Sequence, residues 1–210
     1  MKDIASLVAK KLLEINAIKL NVLSPFSWAS GWKSPIYCDN RLSLSYPDVR
    51  SYIKENLAKK ITENYKNVEA IAGVATAGIP QGALVADQLN IPFIYVRSKP
   101  KGHGMENMIE GKITPGQKVV VIEDLVSTGG SSLKAVEALK ANSFTVLGML
   151  SIFTYGFAIA DENFSKVNVK LISLSNYNDL IDEALKLNYI SKDQISSLKK
   201  WRENPAEWGI

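Results

Sequence analysis

An apolar run that ends in two carboxylates constrains this chain more than any other feature. Residues 119–122 are Val-Val-Val-Ile, which is typical of a buried parallel strand. Glu123 and Asp124 follow this run, and a turn of small residues occupies positions 127–131. Apolar residues then recur at every third position from Leu133, which predicts a helix. The sequence therefore predicts a strand, a ligand loop and a helix in direct succession.

The turn at the start of this helix suits a phosphate, because unpaired backbone N–H groups point outward there and the helix dipole favours negative charge. Two acids would repel a phosphate, so Glu123 and Asp124 are expected to face vicinal ribose hydroxyls, which donate hydrogen bonds. The alternative is a helix cap beside a tight glycine turn, since Asp, Ser and Thr favour such positions. Neither G-x-x-x-x-G-K-[ST] nor G-x-G-x-x-G occurs at this turn. We therefore interpret the segment as a sugar-phosphate site.

Strands and helices alternate along the middle of the chain. Strands are predicted at residues 70–74, 92–96, 119–122 and 146–153, and helices at 79–89 and 133–140. Amphipathic helices are predicted from Ile4 to Ile15 and after the Ser-Tyr-Pro-Asp sequence at 45–48. The tail at 191–208 predicts a short capped helix that buries Trp201. This order predicts an α/β fold whose mostly parallel sheet is flanked by helices.

Length and composition predict one domain over residues 1–210, since 46% hydrophobic content supports one sizeable core. A single cysteine, Cys38, excludes a disulfide framework and is expected to be a small buried thiol. Charged residues interrupt the amphipathic N-terminal segment, and no apolar run is long enough to span a bilayer, so a cytoplasmic protein without membrane contact is expected. The net charge of +4 suits an anionic ligand, although it would equally suit weak contact with nucleic acid.

The stretch at 98–114 lacks apolar periodicity and carries the only histidine, so a mobile loop is predicted there. Its basic residues, together with Arg97, concentrate positive charge where an anionic leaving group would need it. The alternative is an ordinary solvated basic loop.

Four segments together resemble the orotate phosphoribosyltransferases, a family of type I phosphoribosyltransferases. The segment from Glu123 is similar to the family's diphosphoribosyl-binding motif. Residues 26–41 resemble its base-site segment, residues 73–80 its pyrophosphate loop, and residues 96–104 its mobile catalytic loop. The Phe-Thr-Tyr sequence at 153–155 resembles a Gram-positive-like branch of the family. The segments follow the family's order and span most of the chain.

The resemblance implies the type I phosphoribosyltransferase fold, with a small hood formed by about residues 1–45 and the C-terminal segment. It implies transfer of ribose 5-phosphate from 5-phosphoribosyl 1-diphosphate to orotate, in UMP synthesis, with Mg²⁺ carried by the substrate and no direct metal ligand. Orotate would contact Ser127 and Phe26, and the catalytic residues would be Lys101, His103 and Asp124. The expected contacts to the diphosphate substrate are Arg97, Lys101, His103, Glu123, Asp124, Leu125, Val126, Ser127, Thr128, Gly129, Gly130 and Ser131.

In this family the mobile loop closes over the neighbouring subunit's site, so the resemblance implies a homodimer with shared active sites. Lysines of the enterobacterial type are replaced by Ala29, Ala77 and Ser98, and its orotate-binding arginine is missing from the segment 153–157. A transferase for another base is one rival, but it should lack the 26–41 segment. A regulator that binds nucleic acid is the other, but it needs no catalytic loop and would carry a denser basic stripe.

Overall fold

The computed structural model describes residues 3–28, 31–99 and 108–208 of the 210-residue chain. Seven α-helices are assigned in the described residues: α1 (Ile4–Glu14), α2 (Pro47–Asn64), α3 (Gly78–Leu89), α4 (Gly130–Ala141), α5 (Ala158–Lys166), α6 (Tyr177–Lys186) and α7 (Ile195–Glu203). The strands are β1 (Ile18–Leu20), β2 (Phe26–Ser27), β3 (Lys33–Ser34), β4 (Ile36–Cys38), β5 (Ala70–Val74), β6 (Phe93–Val96), β7 (Ile109–Glu110), β8 (Lys118–Val126), β9 (Thr145–Thr154) and β10 (Leu171–Asn176).

A six-stranded sheet with the order β10-β9-β8-β5-β6-β7 forms the centre of the molecule. Its strands pair in parallel except for the edge strand β7, which runs antiparallel to β6. The longest strands, β8 and β9, lie side by side and are apolar over most of their length, as expected for strands covered on both faces. Ligand loops in such sheets gather at the carboxyl ends of the strands.

Two layers of helices cover the sheet. One layer contains α4 and α5, and its core includes Val119, Val121 and Leu133. The other contains α1, α2, α3, α6 and α7, and its core includes Val120 and Ile122. Because successive strand residues point to opposite faces, the side chains of consecutive valines of β8 pack alternately into the two cores. The central strand therefore holds both layers in place.

Two small antiparallel sheets, which we call the hood, lie beside the edge of the central sheet where the parallel strands have their carboxyl ends. β1 pairs with β4, and β2 pairs with β3. Helix α7 fixes the hood to the main body through Trp201, which is fully buried. The indole N–H of Trp201 donates to the carbonyl of Lys33 over 3.1 Å, and its ring packs edge-on against Trp28 with centroids 5.6 Å apart. The C-terminal helix α7 therefore packs against the hood.

The predicted α/β class and the mostly parallel sheet are confirmed, and so are helices α1, α2, α3, α4 and α7 and strands β5, β6, β8 and β9. The prediction did not include the hood strands, β7, α5, β10 or α6. Residues 100–107 of the loop predicted at 98–114 lie outside the described residues, and after them Met108 and Ile109 are buried and β7 pairs with β6. β8 also extends to Val126, beyond the predicted end at Ile122. In the described ranges, we find no helix that is both long and apolar enough to cross a membrane.

We expect replacement of Trp201 by alanine to lower the free energy of unfolding by about 3–5 kcal/mol, because a fully buried aromatic side chain leaves a cavity. Trp201→Phe keeps a ring but removes the donor to Lys33, and should cost only about 1–3 kcal/mol. Urea denaturation of both variants measures the difference. Equal losses would show that the ring is not what fixes α7 to the hood.

Candidate active site

The two acids of the motif are adjacent residues near the carboxyl end of β8. Glu123 is buried, with 6% of its surface exposed. Its Oε2 accepts a hydrogen bond from Ser132 Oγ at 3.0 Å, and its Oε1 accepts one from the backbone N–H of Asp124, also at 3.0 Å. The first bond joins the end of β8 to the first turn of α4. Glu123 therefore sets the angle between the strand and the helix that frames the loop.

Burial raises the pKa of both acids. For Glu123 the pKa is raised well above its ordinary value, first by burial, then by the charge of Asp124 and by a hydrogen bond to the Asp124 carboxyl. Burial also raises the pKa of Asp124, although the hydrogen bond from Glu123 and the positive charge of Arg41 oppose this rise. Glu123 is thus the acid that holds a proton more tightly. Asp124 is the acid better placed to carry negative charge.

The small-residue turn leads directly from β8 into α4, as predicted. Gly129 has a φ of +81°, and a Cβ at this position would lie 2.9 Å from the ring of Phe164. Only glycine adopts this conformation readily and fits this space. Ser131 is exposed in the first turn of the helix, where backbone N–H groups lack helical partners. The geometry is that of an anion site at a helix N-terminus.

Not all of the residues that were predicted to contact the phosphate expose their side chains at the turn. Val126 is fully buried, and its carbonyl accepts hydrogen bonds from Thr154 Oγ1 and from the backbone N–H of Tyr155, each at 3.2 Å. The Thr128 carbonyl accepts a hydrogen bond from the Asn163 side chain at 3.1 Å. These hydrogen bonds hold the turn in place, so Val126 and Thr128 support the loop through their backbone carbonyls.

The segment predicted as a pyrophosphate loop connects β5 to α3 next to this turn. Its peptide bond between Ala75 and Thr76 is cis. A Cβ on Gly78 would lie 2.5 Å from the carbonyl oxygen of Ile122, so this glycine allows α3 to begin directly against β8. The predicted pyrophosphate loop and the small-residue turn after β8 therefore lie next to each other at the same edge of the sheet.

Arg97 follows β6 at that edge. Its guanidinium forms an ion pair with Glu110 at 3.2 Å, and both side chains are one-third exposed. Arg97 also lines a cavity of about 180 Å³ together with Ala75, Ser131 and Lys134. The structure thus brings Arg97 beside both loops of its own chain. Lys101 and His103, the other predicted cations, lie outside the described residues.

A second cavity, of about 310 Å³, opens between the hood and the end of β8. Its lining residues are aromatic or small, apart from one leucine: Ser27, Trp28, Tyr37, Cys38, Leu125, Ser127 and Tyr155. Ser127 was predicted as a base contact, and it does line this cavity. Phe26 does not; its ring packs on Tyr37 with centroids 5.7 Å apart. Such a largely apolar cavity with aromatic walls suits a planar ring.

The C-terminal helix α7 holds part of the wall of this cavity in place through hydrogen bonds. Arg202 on α7 donates from Nε to the Tyr155 carbonyl at 3.2 Å and from Nη2 to the Gly156 carbonyl at 2.9 Å. The Tyr155 ring stacks on Phe157 and meets Trp28 with centroids 5.1 Å apart. Tyr155 is therefore fixed through both its backbone and its ring.

Sequence reasoning missed Tyr37, Tyr155, Ser132 and Arg202, and it assigned no role to Asn40. The signal for Tyr37 and Asn40 was present, since both lie in the segment that resembles the family's base site. Arg202 gave no local signal, because only the packing of α7 brings it to the cavity. Cys38 is half-buried rather than fully buried, and its Sγ donates to Asn40 Oδ1 at 3.4 Å. Across the described part of the chain, no three acidic, histidine or cysteine side chains converge as a metal site.

The fold and this edge of the sheet define a class of protein. Residues 47–186 match the family model described as Phosphoribosyl transferase domain. The chain therefore belongs to the phosphoribosyl transferase family. The predicted fold and enzyme class are confirmed by this match.

More detailed comparisons narrow the family. The chain is 57% identical over 210 residues to orotate phosphoribosyltransferase of Porphyromonas gingivalis, with all of both chains covered. It is 60% identical over 201 residues to that of Cytophaga hutchinsonii, covering 96% of each chain. The crystal structure of orotate phosphoribosyltransferase from Aeropyrum pernix superposes with a TM-score of 0.76 at 32% identity, covering 88% of this chain and 99% of the other. Within the phosphoribosyl transferases, the chain thus groups with the orotate phosphoribosyltransferases.

The raised pKa of Glu123 predicts a pH-dependent stability. The protonated acid favours the folded state, so its contribution is fully present below the unfolded pKa of about 4.3 and is lost as pH rises through the raised folded pKa. Glu123→Gln resembles the protonated acid and removes this titration. Its free energy of unfolding relative to the unmodified chain should therefore increase with pH. Urea denaturation across that range measures it, with the exposed Glu137→Gln as the control on α4. Parallel pH profiles for Glu123→Gln and the unmodified chain would contradict it.

Proposed function

We propose that this chain transfers ribose 5-phosphate from 5-phosphoribosyl 1-diphosphate to orotate, giving orotidine 5′-phosphate and diphosphate in UMP synthesis. One observation carries the proposal: the small-residue turn, the paired acids and an aromatic-lined cavity meet at the end of β8, with Ser127 shared between turn and cavity. A sugar phosphate held at the turn would place its ring beside the acids. A planar base in the cavity would then lie next to the same ring.

We assign the acidic and basic residues of the site to different parts of the substrate according to their charge. The reaction passes through a ribosyl ring with cationic character, so negative charge beside the ring and positive charge at the leaving group both lower the barrier. Asp124 supplies the first, and its proximity to a cationic ring would favour its ionised form. The resemblance also assigns Glu123 to the ribose, through the lone pairs that its two hydrogen bonds leave free.

We assign the backbone N–H groups and hydroxyls of residues 127–131 to the 5-phosphate, with Leu125 and Val126 leading into this turn. Arg97, Lys101 and His103 would neutralise the departing diphosphate. The resemblance implies that all three act from the neighbouring subunit of a homodimer. Arg97 already lies beside Ser131 of its own chain, which supports a role at the phosphates in either arrangement.

Magnesium fits this arrangement as a companion of the diphosphate. Mg²⁺ prefers oxygen ligands and is usually bound through one or two carboxylates together with substrate phosphates and water. The resemblance implies that the ion is carried by the diphosphate substrate, with no direct protein ligand. When bound, the metal would offset the negative charge of the diphosphate. We also propose that the protein acts in the cytoplasm and belongs to the branch with a Phe-Thr-Tyr segment at 153–155.

The base is tested by measuring consumption of orotate from its ultraviolet absorbance, with 5-phosphoribosyl 1-diphosphate and Mg²⁺ present. Uracil, adenine and hypoxanthine are offered in parallel. We expect Mg²⁺-dependent loss of orotate alone, and a fall in kcat of about 100-fold in Asp124→Asn, because the charge facing the cationic ring is lost. The exposed Asp87→Asn on α3 is the matched control and should behave as the unmodified chain. Turnover of another base, or of none, would refute the proposal.

The shared active site is tested by mixing two inactive variants. His103→Ala and Asp124→Asn each disable a different half of the site, so mixed dimers should contain one intact site and regain up to about one quarter of full activity by random assortment of subunits. The measurement is orotate turnover after the subunits have exchanged. Absence of any recovery, with exchange verified by differently tagged subunits, would show that each subunit works alone.

A further inference from the structure

Asp124 lies in a stretch of β8 that has lost one of its neighbours. The pairing of β8 with β5 ends at Ile122, opposite Gly73, whereas β8 continues to Val126 alongside β9 only. Backbone groups on the β5 side of this stretch therefore need another partner, because a buried carbonyl without one is costly. The position of Asp124 cannot be maintained by the sheet alone.

Asn40 supplies that partner. Its side-chain Nδ2 donates to the carbonyl of Asp124 over 2.8 Å, across 84 residues of sequence. Asn40 is only 1% exposed, so its side chain has little access to solvent. Its Oδ1 accepts the Sγ–H of Cys38, which lines the cavity assigned to the base. One amide thus contacts the residue that carries the acid and a residue of the base cavity.

Asn40 is itself held rigidly. Its own carbonyl accepts the hydroxyl of Ser43 at 2.6 Å, and Ser43 Oγ in turn accepts from Gln81 Nε2 on α3 at 3.2 Å. Ser43 and Gln81 are buried as well. Three elements, the hood, α3 and β8, therefore meet through one chain of hydrogen bonds. Buried hydrogen bonds of this kind fix geometry, although the Oε1 of Gln81 is itself buried without a hydrogen-bond partner among the described residues.

We propose that Asn40 is a positioning residue that sets the place of Asp124 relative to the base cavity. This inference rests on the proposed function for its kinetic consequences. A positioning residue acts on the reacting ring through Asp124, so its loss should lower turnover far more than it lowers the affinity for the base.

The test compares Asn40→Ala with Asn56→Ala. Asn56 is a matched control, because its Nδ2 donates to a backbone carbonyl, that of Tyr52, over the same 2.8 Å but within α2. We expect Asn40→Ala to lower kcat by roughly 10- to 100-fold while the KM for orotate stays within about threefold, as a small misplacement at a reacting centre does. Asn56→Ala should leave both constants unchanged. Circular dichroism of each variant verifies folding.

Asn40→Asp provides a second variant of the same shape, and it separates positioning from folding. An ionised carboxylate at position 40 cannot donate to the Asp124 carbonyl, whereas a protonated one can. Activity relative to the unmodified chain should therefore recover as the pH is lowered. Cys38 bonds to Asn40 directly, and Asp124 carries the carbonyl that Asn40 holds. The charged and titratable groups that interact with these two residues are Asp39, Arg41, Glu123 and Tyr155. Burial and the neighbouring acids would raise the pKa of the new carboxyl, which brings its titration towards neutral pH.

Calorimetric binding of 5-phosphoribosyl 1-diphosphate gives a readout that does not need turnover. Its dissociation constant should rise about threefold to tenfold in Asn40→Ala, because the ribose contact is displaced in the bound state too. If the unmodified chain does not turn over orotate, the proposed function fails, and this constant still decides the role of Asn40. Unchanged kcat and unchanged binding in a folded Asn40→Ala variant would overturn the inference. So would an Asn40→Asp variant whose relative activity is independent of pH.

Discussion

The hydrogen bond between Ser132 and Glu123 fixes the geometry on which the rest of the active site depends. This bond joins Glu123 of β8 to Ser132 in the first turn of α4 over 3.0 Å, and both residues are buried. The phosphate turn lies between these two ends, so its shape follows from their separation. A buried acid is costly unless its oxygens are hydrogen-bonded, and both oxygens of Glu123 accept a hydrogen bond. Burial also raises the pKa of this acid well above its ordinary value.

The cavity for the base is built from parts of the chain that are far apart in sequence. The hood supplies Trp28, Tyr37 and Cys38, whereas the ends of β8 and β9 supply Ser127 and Tyr155. Helix α7 joins the two sets, because Trp201 bonds to the hood and Arg202 bonds to the turn after β9. Edge-on and stacked aromatic contacts fill the space between them. The C-terminal helix is thus part of the active-site wall although it contributes no lining side chain to this cavity.

The distribution of charge explains how one small edge of the sheet can serve an acid-lined ribose site and a phosphate site together. Glu123 retains its proton more strongly than an ordinary carboxyl, and Arg41 lies close enough to influence Asp124. Arg41 itself is paired with Asp39 through two hydrogen bonds of 2.6 and 2.9 Å. On the other side, Arg97 and Lys134 border the phosphate turn. Negative and positive groups are therefore separated across the motif, with the turn between them.

The sequence by itself determined the local order of strand, acids, turn and helix, because residues that are adjacent along the chain fix it. The apolar period of β8, the glycine at 129 and the spacing of Leu133, Val136 and Leu139 were enough to predict the phosphate turn, and four segments in the family's order were enough to predict the class. Tertiary structure alone decided which side chains meet. Asn40 reaches Asp124 across 84 residues, and Arg202 reaches Gly156 across 46. Neither contact leaves a periodic signal, because it depends on how whole elements pack rather than on local residue spacing.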